Sequence, residues 1–193
     1  ANALAIFGIA EGVRAQTKRS RVLVSAIEHD SVLDNLSSLR ARGFTVDTVP
    51  VCAQGYVEPE ALASMMDDSV ALVSIMLANN ETGVVQPIRE LAAIAHAHGA
   101  RFHTDAIQGY LHIPVDAHEL GVDALSVAAH KVGGPVSTGA LYLKGRTPFT
   151  ALTKGGGQEF GKRPGTQDLR AIVAFAAVAQ LLAPDVAPSV RVS

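Results

Sequence analysis

The 193-residue sequence has no tryptophan, one cysteine and only 5% aromatic residues. So sparse an aromatic content argues against a base-stacking surface for single-stranded nucleic acid. The formal net charge is only −2. No basic field is present to attract nucleic acid or an anionic membrane. Cys52 stands alone, so no intramolecular disulfide can form. That fits a reducing compartment and a cytoplasmic location. Long apolar runs are also missing: stretches such as Val70 to Ala78 fall far short of a bilayer span. The opening residues lack the basic and apolar regions of a secretory signal.

What is there is an ordinary globular composition, 48% hydrophobic and 18% charged. The length suffices for one compact domain with its own core. The first residues already read as a helix, and the chain stops soon after another. We therefore expect residues 1–193 to be a piece of a longer protein.

Along the chain, β-rich runs alternate with helical patterns. Ala3 to Gln16 reads as an amphipathic helix, weakened by Gly8 and Gly12. Arg21 to Ile27 reads as a strand. Ser31 to Arg42 reads as a helix, with Ser31 as its N-cap and Gly43 as its stop. Thr45 to Val51 is β-like, and Glu58 to Asp67 a short helix. Val70 to Leu77 is apolar on both faces, as a buried parallel strand should be. Pro87 to Ala97 is a helix with Pro87 at its first position and Gly99 at its end. Arg101 to Ala106, Val122 to Ala128 and Gly139 to Lys144 read as strands, and Gln167 to Leu182 as a closing helix. The Gly-rich, basic stretch Lys154 to Thr166 reads as a loop. The alternation predicts an α/β fold: a doubly wound, mostly parallel sheet with helices on both faces.

In such sheets, ligands sit outside the carboxyl ends of the strands. The first strand delivers Glu28 and His29 there, and Val70 to Leu77 delivers Asn79, Asn80 and Glu81. Arg101 to Ala106 delivers Asp105 and Gln108, and Val122 to Ala128 delivers His130 and Lys131. Taken singly, each has an ordinary explanation: a solvated lysine, a packed histidine, an aspartate capping the next helix, an asparagine in a turn. Together they match what pyridoxal phosphate requires. A lysine must attach the cofactor covalently, a carboxylate must face the pyridine nitrogen, a flat side chain must cover the ring, and donors must meet its oxygen and phosphate.

The ordered motifs Glu28-His29, Asn79-Asn80-Glu81-Thr82-Gly83, His103-Thr104-Asp105 with Gln108, and His130-Lys131 resemble those of the cysteine desulfurases. Gly155-Gly156-Gly157-Gln158-Glu159 and Arg163-Pro164-Gly165-Thr166 extend the resemblance, which runs from about Asn2 to about Leu182. These are class-V aminotransferase-like, fold-type I pyridoxal-phosphate enzymes. The resemblance implies that Lys131 holds the cofactor, Asp105 pairs with the pyridinium nitrogen, and His29 stacks on the ring and shuttles protons. It further implies that Asn80 and Gln108 contact the ring and His130 the phosphate. Thr166 would reach the phosphate bound by a partner subunit, which implies a homodimer. The implied reaction converts L-cysteine to L-alanine and passes sulfur, as a persulfide, to an acceptor protein for iron–sulfur cluster or thio-cofactor assembly.

The sequence departs from the family pattern in several places. The Gly-Ala-Thr phosphate loop should lie just before Ala1. The nucleophilic cysteine and the substrate-carboxylate arginine belong to a C-terminal part not present here. The 1–193 stretch is therefore expected to be the large cofactor-binding domain, inactive alone. Ala128 stands where the family commonly has a phosphate-binding serine, a loss of one hydrogen bond worth about 0.5–1.5 kcal/mol. Val136 and Ser137 replace the common Lys-Gly after Pro135. Cys52 reads as a small structural residue rather than a substitute nucleophile. His96 and His98 sit at a helix end that favours cations, and no third ligand accompanies His103 and Asp105, so no metal site is expected. A selenocysteine lyase or other class-V enzyme, and a non-catalytic dimerisation or binding domain, remain as rival readings; Ala128 favours the second.

Overall fold

A computed structural model of the chain describes residues 1–186. Six strands form one sheet in the order β2-β1-β3-β4-β5-β6. They are β1 (Arg21–Ser25), β2 (Thr45–Val49), β3 (Val70–Ser74), β4 (Arg101–Asp105), β5 (Ala124–Ala128) and β6 (Gly139–Leu143). The first five run parallel, and β6 alone runs antiparallel, against β5. The expected mostly parallel α/β sheet is therefore the observed one.

Strand alternation divides the core into two layers. Val22, Val24 and Leu72 pack on one face against α1 (Asn2–Thr17), α2 (Asp30–Leu33) and α3 (Leu36–Ala41). Leu23, Val73 and Phe102 pack on the other face against α4 (Pro59–Met65) and α5 (Ile88–Ala97). All five residues of β3 are buried, because that strand lies between β1 and β4 with helices above and below. In α5 the buried residues Ile88, Leu91, Ala92 and Ala95 recur at helical spacing. Gly99 follows at φ 74°, a left-handed turn glycine adopts without strain. The closing helix, α6, spans Leu169–Val186.

Several boundaries differ from the sequence reading. The segment read as one helix over 31–42 divides into α2 and α3, and the N-cap of α2 is His29, whose side chain accepts from the Ser31 amide. Ser31, expected to cap, lies inside the helix. Pro87 is the residue before α5, not its first turn. The strand read over 70–77 ends at Ser74, and Ile75 to Ala78 continue as buried loop. Gly8 and Gly12 do not weaken α1. They let residues 148–150 approach it, and Thr150 N–H donates to Gly8 O at 2.8 Å. The Gly-rich stretch is a loop with one short 3-10 turn, Gln158–Gly161.

Among the described residues no helix is long and apolar enough to cross a membrane, and no His, Cys, Asp and Glu group could hold a metal ion. His96 instead bonds Asp123 at 2.7 Å. Asp123 also receives Arg101 and the Phe102 amide, which ties the end of α5 to the start of β4. Burial opposes ionisation of that carboxyl, but these partners outweigh it and hold it below the ordinary aspartate range.

Candidate functional site

Because β1, β3, β4 and β5 are adjacent and parallel, their carboxyl ends form one continuous edge. Along it, in spatial order, come His29, then Asn80, then Asp105 with Gln108, then His130 and Lys131. These residues lie far apart in sequence, and the parallel order gathers them at one end of the sheet.

Asp105 is the buried centre of this edge, 5% exposed. Its Oδ2 accepts from Asn2 Nδ2 at 2.6 Å and its Oδ1 from the Ile107 amide at 2.9 Å. Burial pushes its carboxyl up despite those bonds and the favourable charge of His29. Asn2 also donates to Ser31 Oγ at 2.8 Å, while its Oδ1 is buried without a partner. It thereby links α1, α2 and β4 at the site. Sequence reasoning missed Asn2, because an asparagine opening a helix looks like a local cap and its partner lies 103 positions away.

His29 is exposed, and its Nδ1 accepts from the Ser31 amide at 3.0 Å. With Nδ1 engaged as acceptor, the neutral ring carries its proton on Nε2. Asn80 is exposed on the turn after β3, and Gln108 is half-buried. Exposed His130 and Lys131 occupy a 3-10 turn, Ala129–Val132, that leaves β5 directly. Among the described residues no hydrogen bond or ion pair engages the Lys131 side chain. Its backbone carbonyl faces His112 Nε2 at 3.2 Å. Ala128 places a methyl group beside this turn. Thr166 is exposed on the segment before α6, and no hydrogen bond among the described residues joins it to the other predicted site residues. Cys52 is half-buried in the connection between β2 and α4.

Two buried groups support the edge from beneath. Glu28 is 5% exposed. Its Oε1 accepts from Ser25 Oγ at 2.5 Å and the Met76 amide at 2.7 Å, and its Oε2 has no partner. Burial pushes its carboxyl up to about 8. The hydrogen bonds from Ser25 and Met76 oppose that rise, and the negative charge of Asp105 adds to it. His103 is fully buried between Ser74 Oγ (2.8 Å from Nδ1) and Ser126 Oγ (2.9 Å from Nε2). Desolvation lowers its imidazole to about 3, so it is a neutral link across β3, β4 and β5.

A cleft of about 600 Å3 opens beside the His29 end, lined by Ile27, His29, Gly55, Asn80 and Thr82 among others. The donor set along the edge fits pyridoxal phosphate. It offers a buried carboxylate as acceptor for a ring N–H, amides for a ring oxygen, a flat imidazole, and an unpaired amine on the neighbouring strand end. Asn2 Oδ1 and Glu28 Oε2, both orphaned and buried, mark this end of the sheet as a place where polar groups still lack partners.

The family model for class-V aminotransferases matches residues 1–186, and the chain belongs to that family. Its relatives include the cysteine desulfurase IscS of Dictyoglomus turgidum, 41% identical over 180 residues, which are 93% of this chain and 45% of that protein. Among solved structures, a NifS-like protein superposes with a TM-score of 0.89 at 34% identity, covering 95% of this chain and 50% of the other. A structure of SspA in complex with cysteine gives a TM-score of 0.86 at 34% identity, covering 93% and 52%. The chain therefore spans about half the length of the relatives it matches.

Proposed function

We propose that these residues form the large, cofactor-binding domain of a pyridoxal-phosphate-dependent cysteine desulfurase. The observation that carries this reading is the strand order, which lines up His29, Asn80, Asp105, Gln108, His130 and Lys131 along one sheet edge. Membership of the family, the desulfurase relatives and the likeness to a cysteine-bound structure support it.

In this reading the Lys131 amine attaches the cofactor, and its place on a short turn straight after a central strand limits how far it can wander. Asp105 accepts the ring N–H and keeps the proton there. Because burial disfavours its lone negative charge, a cation beside it is the partner it lacks. Asn2 and the Ile107 amide fix the direction in which its carboxyl points. His29 covers the ring and moves protons through Nε2, since Nδ1 is engaged by the Ser31 amide. Asn80 and Gln108 donate to the ring oxygen, and His130 to the phosphate. Bound there, pyridoxal phosphate supplies an electron sink that weakens bonds at Cα of an amino-acid substrate.

The whole reaction takes L-cysteine and an enzyme thiol to L-alanine and an enzyme persulfide. The sulfur then passes to an acceptor protein for iron–sulfur cluster or thio-cofactor assembly. The reading assigns the accepting thiol to a part of the protein outside these 193 residues. It places the protein in the cytoplasm as a homodimer, with Thr166 reaching the phosphate of the partner subunit.

The test is to add pyridoxal phosphate to the chain, record the visible absorbance, reduce with borohydride and map the labelled peptide. The expected result is an absorbance band with label on Lys131, both lost in Lys131→Ala. If the folded chain gives no band, the same test on the longer parent protein decides: no band there, or a band labelled equally in Lys131→Ala, would overturn the proposal.

A further inference from the structure

Two loops carry the exposed His29 and Asn80, one leaving β1 and the other β3. They are joined by two hydrogen bonds of the same sense, one buried and one partly buried, each donated from the β3 side to the β1 side. The Met76 amide, on the β3 side, donates to Glu28 Oε1 at 2.7 Å. Asn79 Nδ2, also on the β3 side, donates to the Ile27 carbonyl at 3.1 Å. Each link ends on a residue that also organises its own loop. Glu28 Oε1 receives Ser25 Oγ as well, at 2.5 Å. Asn79 Oδ1 accepts from the Glu81 amide at 3.0 Å, the Thr82 amide at 2.9 Å and Thr82 Oγ1 at 3.1 Å. Those bonds close the turn on which Asn80 rides.

Glu28 and Asn79 are buried, and each is adjacent in sequence to an exposed residue at the mouth of the cleft. A carboxyl doubly bonded at one oxygen and unpartnered at the other holds a proton there, because burial strips a negative charge of its water, and the charge of Asp105 adds to the penalty. The result is a neutral clasp beneath two solvent-facing groups.

We propose that Glu28 and Asn79 are positioning residues, a buried clasp that fixes His29 and Asn80 relative to each other so that both meet one ligand. The functional sense of the clasp rests on the reading above, but its geometry does not. Asn79→Asp breaks the link: Oδ1 can still close the turn, while the donor to Ile27, which also reaches Met76 Sδ at 3.4 Å, becomes an acceptor facing an acceptor. Glu28→Ala removes the other link. Glu28→Gln retains an acceptor oxygen and neutrality.

The experiment follows the His29 ring resonance of the isotopically labelled chain, assigned by its loss in His29→Gln, alongside pyridoxal-phosphate capture. Asn79→Asp and Glu28→Ala should each displace the His29 signal and weaken capture on the order of fivefold to tenfold, the scale of one buried hydrogen bond. Glu28→Gln should leave the signal in place. An unmoved His29 signal in folded Asn79→Asp overturns the proposal, and this variant decides the matter if Glu28→Ala does not fold. Failure of the wild-type chain and of its longer parent to capture cofactor, while the His29 signal still moves in the variants, sinks the cofactor reading and leaves the clasp standing.

Discussion

Replacing Glu28 by glutamine should make the chain more stable, and increasingly so as pH rises. In the unfolded chain this carboxyl ionises near its ordinary value of 4.5, and in the folded chain at about 8. Between those values the folded state holds a proton that the unfolded state has released. Stability is therefore lost as pH rises through that window. At about 1.36 kcal/mol per pH unit, the gap between 4.5 and about 8 amounts to several kcal/mol, on the order of 4–5. The side chain is nearly out of solvent, 5% exposed, so water screens little of this. Glutamine resembles the protonated acid and cannot ionise. It keeps an oxygen to accept from Ser25 and Met76.

Urea unfolding at intervals from pH 4.5 to 9, for wild type and Glu28→Gln, would measure the difference. The two midpoints should nearly coincide at the acid end and separate steadily. With a denaturant slope of about 1–3 kcal/mol per M, the separation should reach about 1.3–5 M above pH 8. A separation independent of pH, or a glutamine variant less stable at pH 8, would refute the reasoning, because either result means that the folded chain holds no extra proton at this site.

Gly12→Ala should destabilise the chain, although alanine is the better helix former by about 1 kcal/mol. A Cβ there would lie 2.4 Å from the Phe149 backbone nitrogen and 2.7 Å from its Cα. The main chain would have to move, typically costing about 1–3 kcal/mol, and a rise in the urea midpoint would contradict this. His103→Leu should cost about 2 kcal/mol or more at neutral pH by leaving the Ser74 and Ser126 hydroxyls unpaired. It should also remove an acid limb: the folded imidazole titrates at about 3 and the unfolded one near 6.5, so wild-type stability falls as pH drops through that range. Circular dichroism followed from pH 7 to pH 3 would show the limb in wild type and its absence in the variant.

The α/β alternation was legible because each short strand carries its own apolar signature and each helix its own period. Val70 to Ser74 reads as buried on both faces, and Ile88, Leu91, Ala92 and Ala95 trace one stripe. The candidate site was legible for a related reason. A parallel sheet sends every strand end to the same edge, so the residues just beyond each strand in sequence are the ones that meet there. What misled was local logic applied to nonlocal structure. Gly8 and Gly12 count against a helix by propensity, yet they are the surface that receives residues 148–150. Ser31 has the residue type of a cap, but the side chain accepting at that helix start is His29, which also faces the edge.

Glu28 and Asn79 stood among the strand-end motifs, but their supporting role, and Asn2 altogether, escaped the sequence for a physical reason. A histidine, lysine or aspartate after a strand stands out by its type. Asn2, Glu28 and Asn79 matter through whom they bond, and those partners lie 103, 48 and 52 positions away. Chain entropy would leave such groups free, and only a sheet already paired brings Met76 to Glu28 or Ile27 to Asn79. The same pairing removes water, so that Glu28 keeps a proton and His103 gives one up. Neutral supports under the edge leave Asp105 as the one buried carboxyl there with amide donors at both oxygens. Its negative charge is then the one a cationic ligand would meet. A charged glutamate beneath it would compete for that cation, and a charged histidine would replace it.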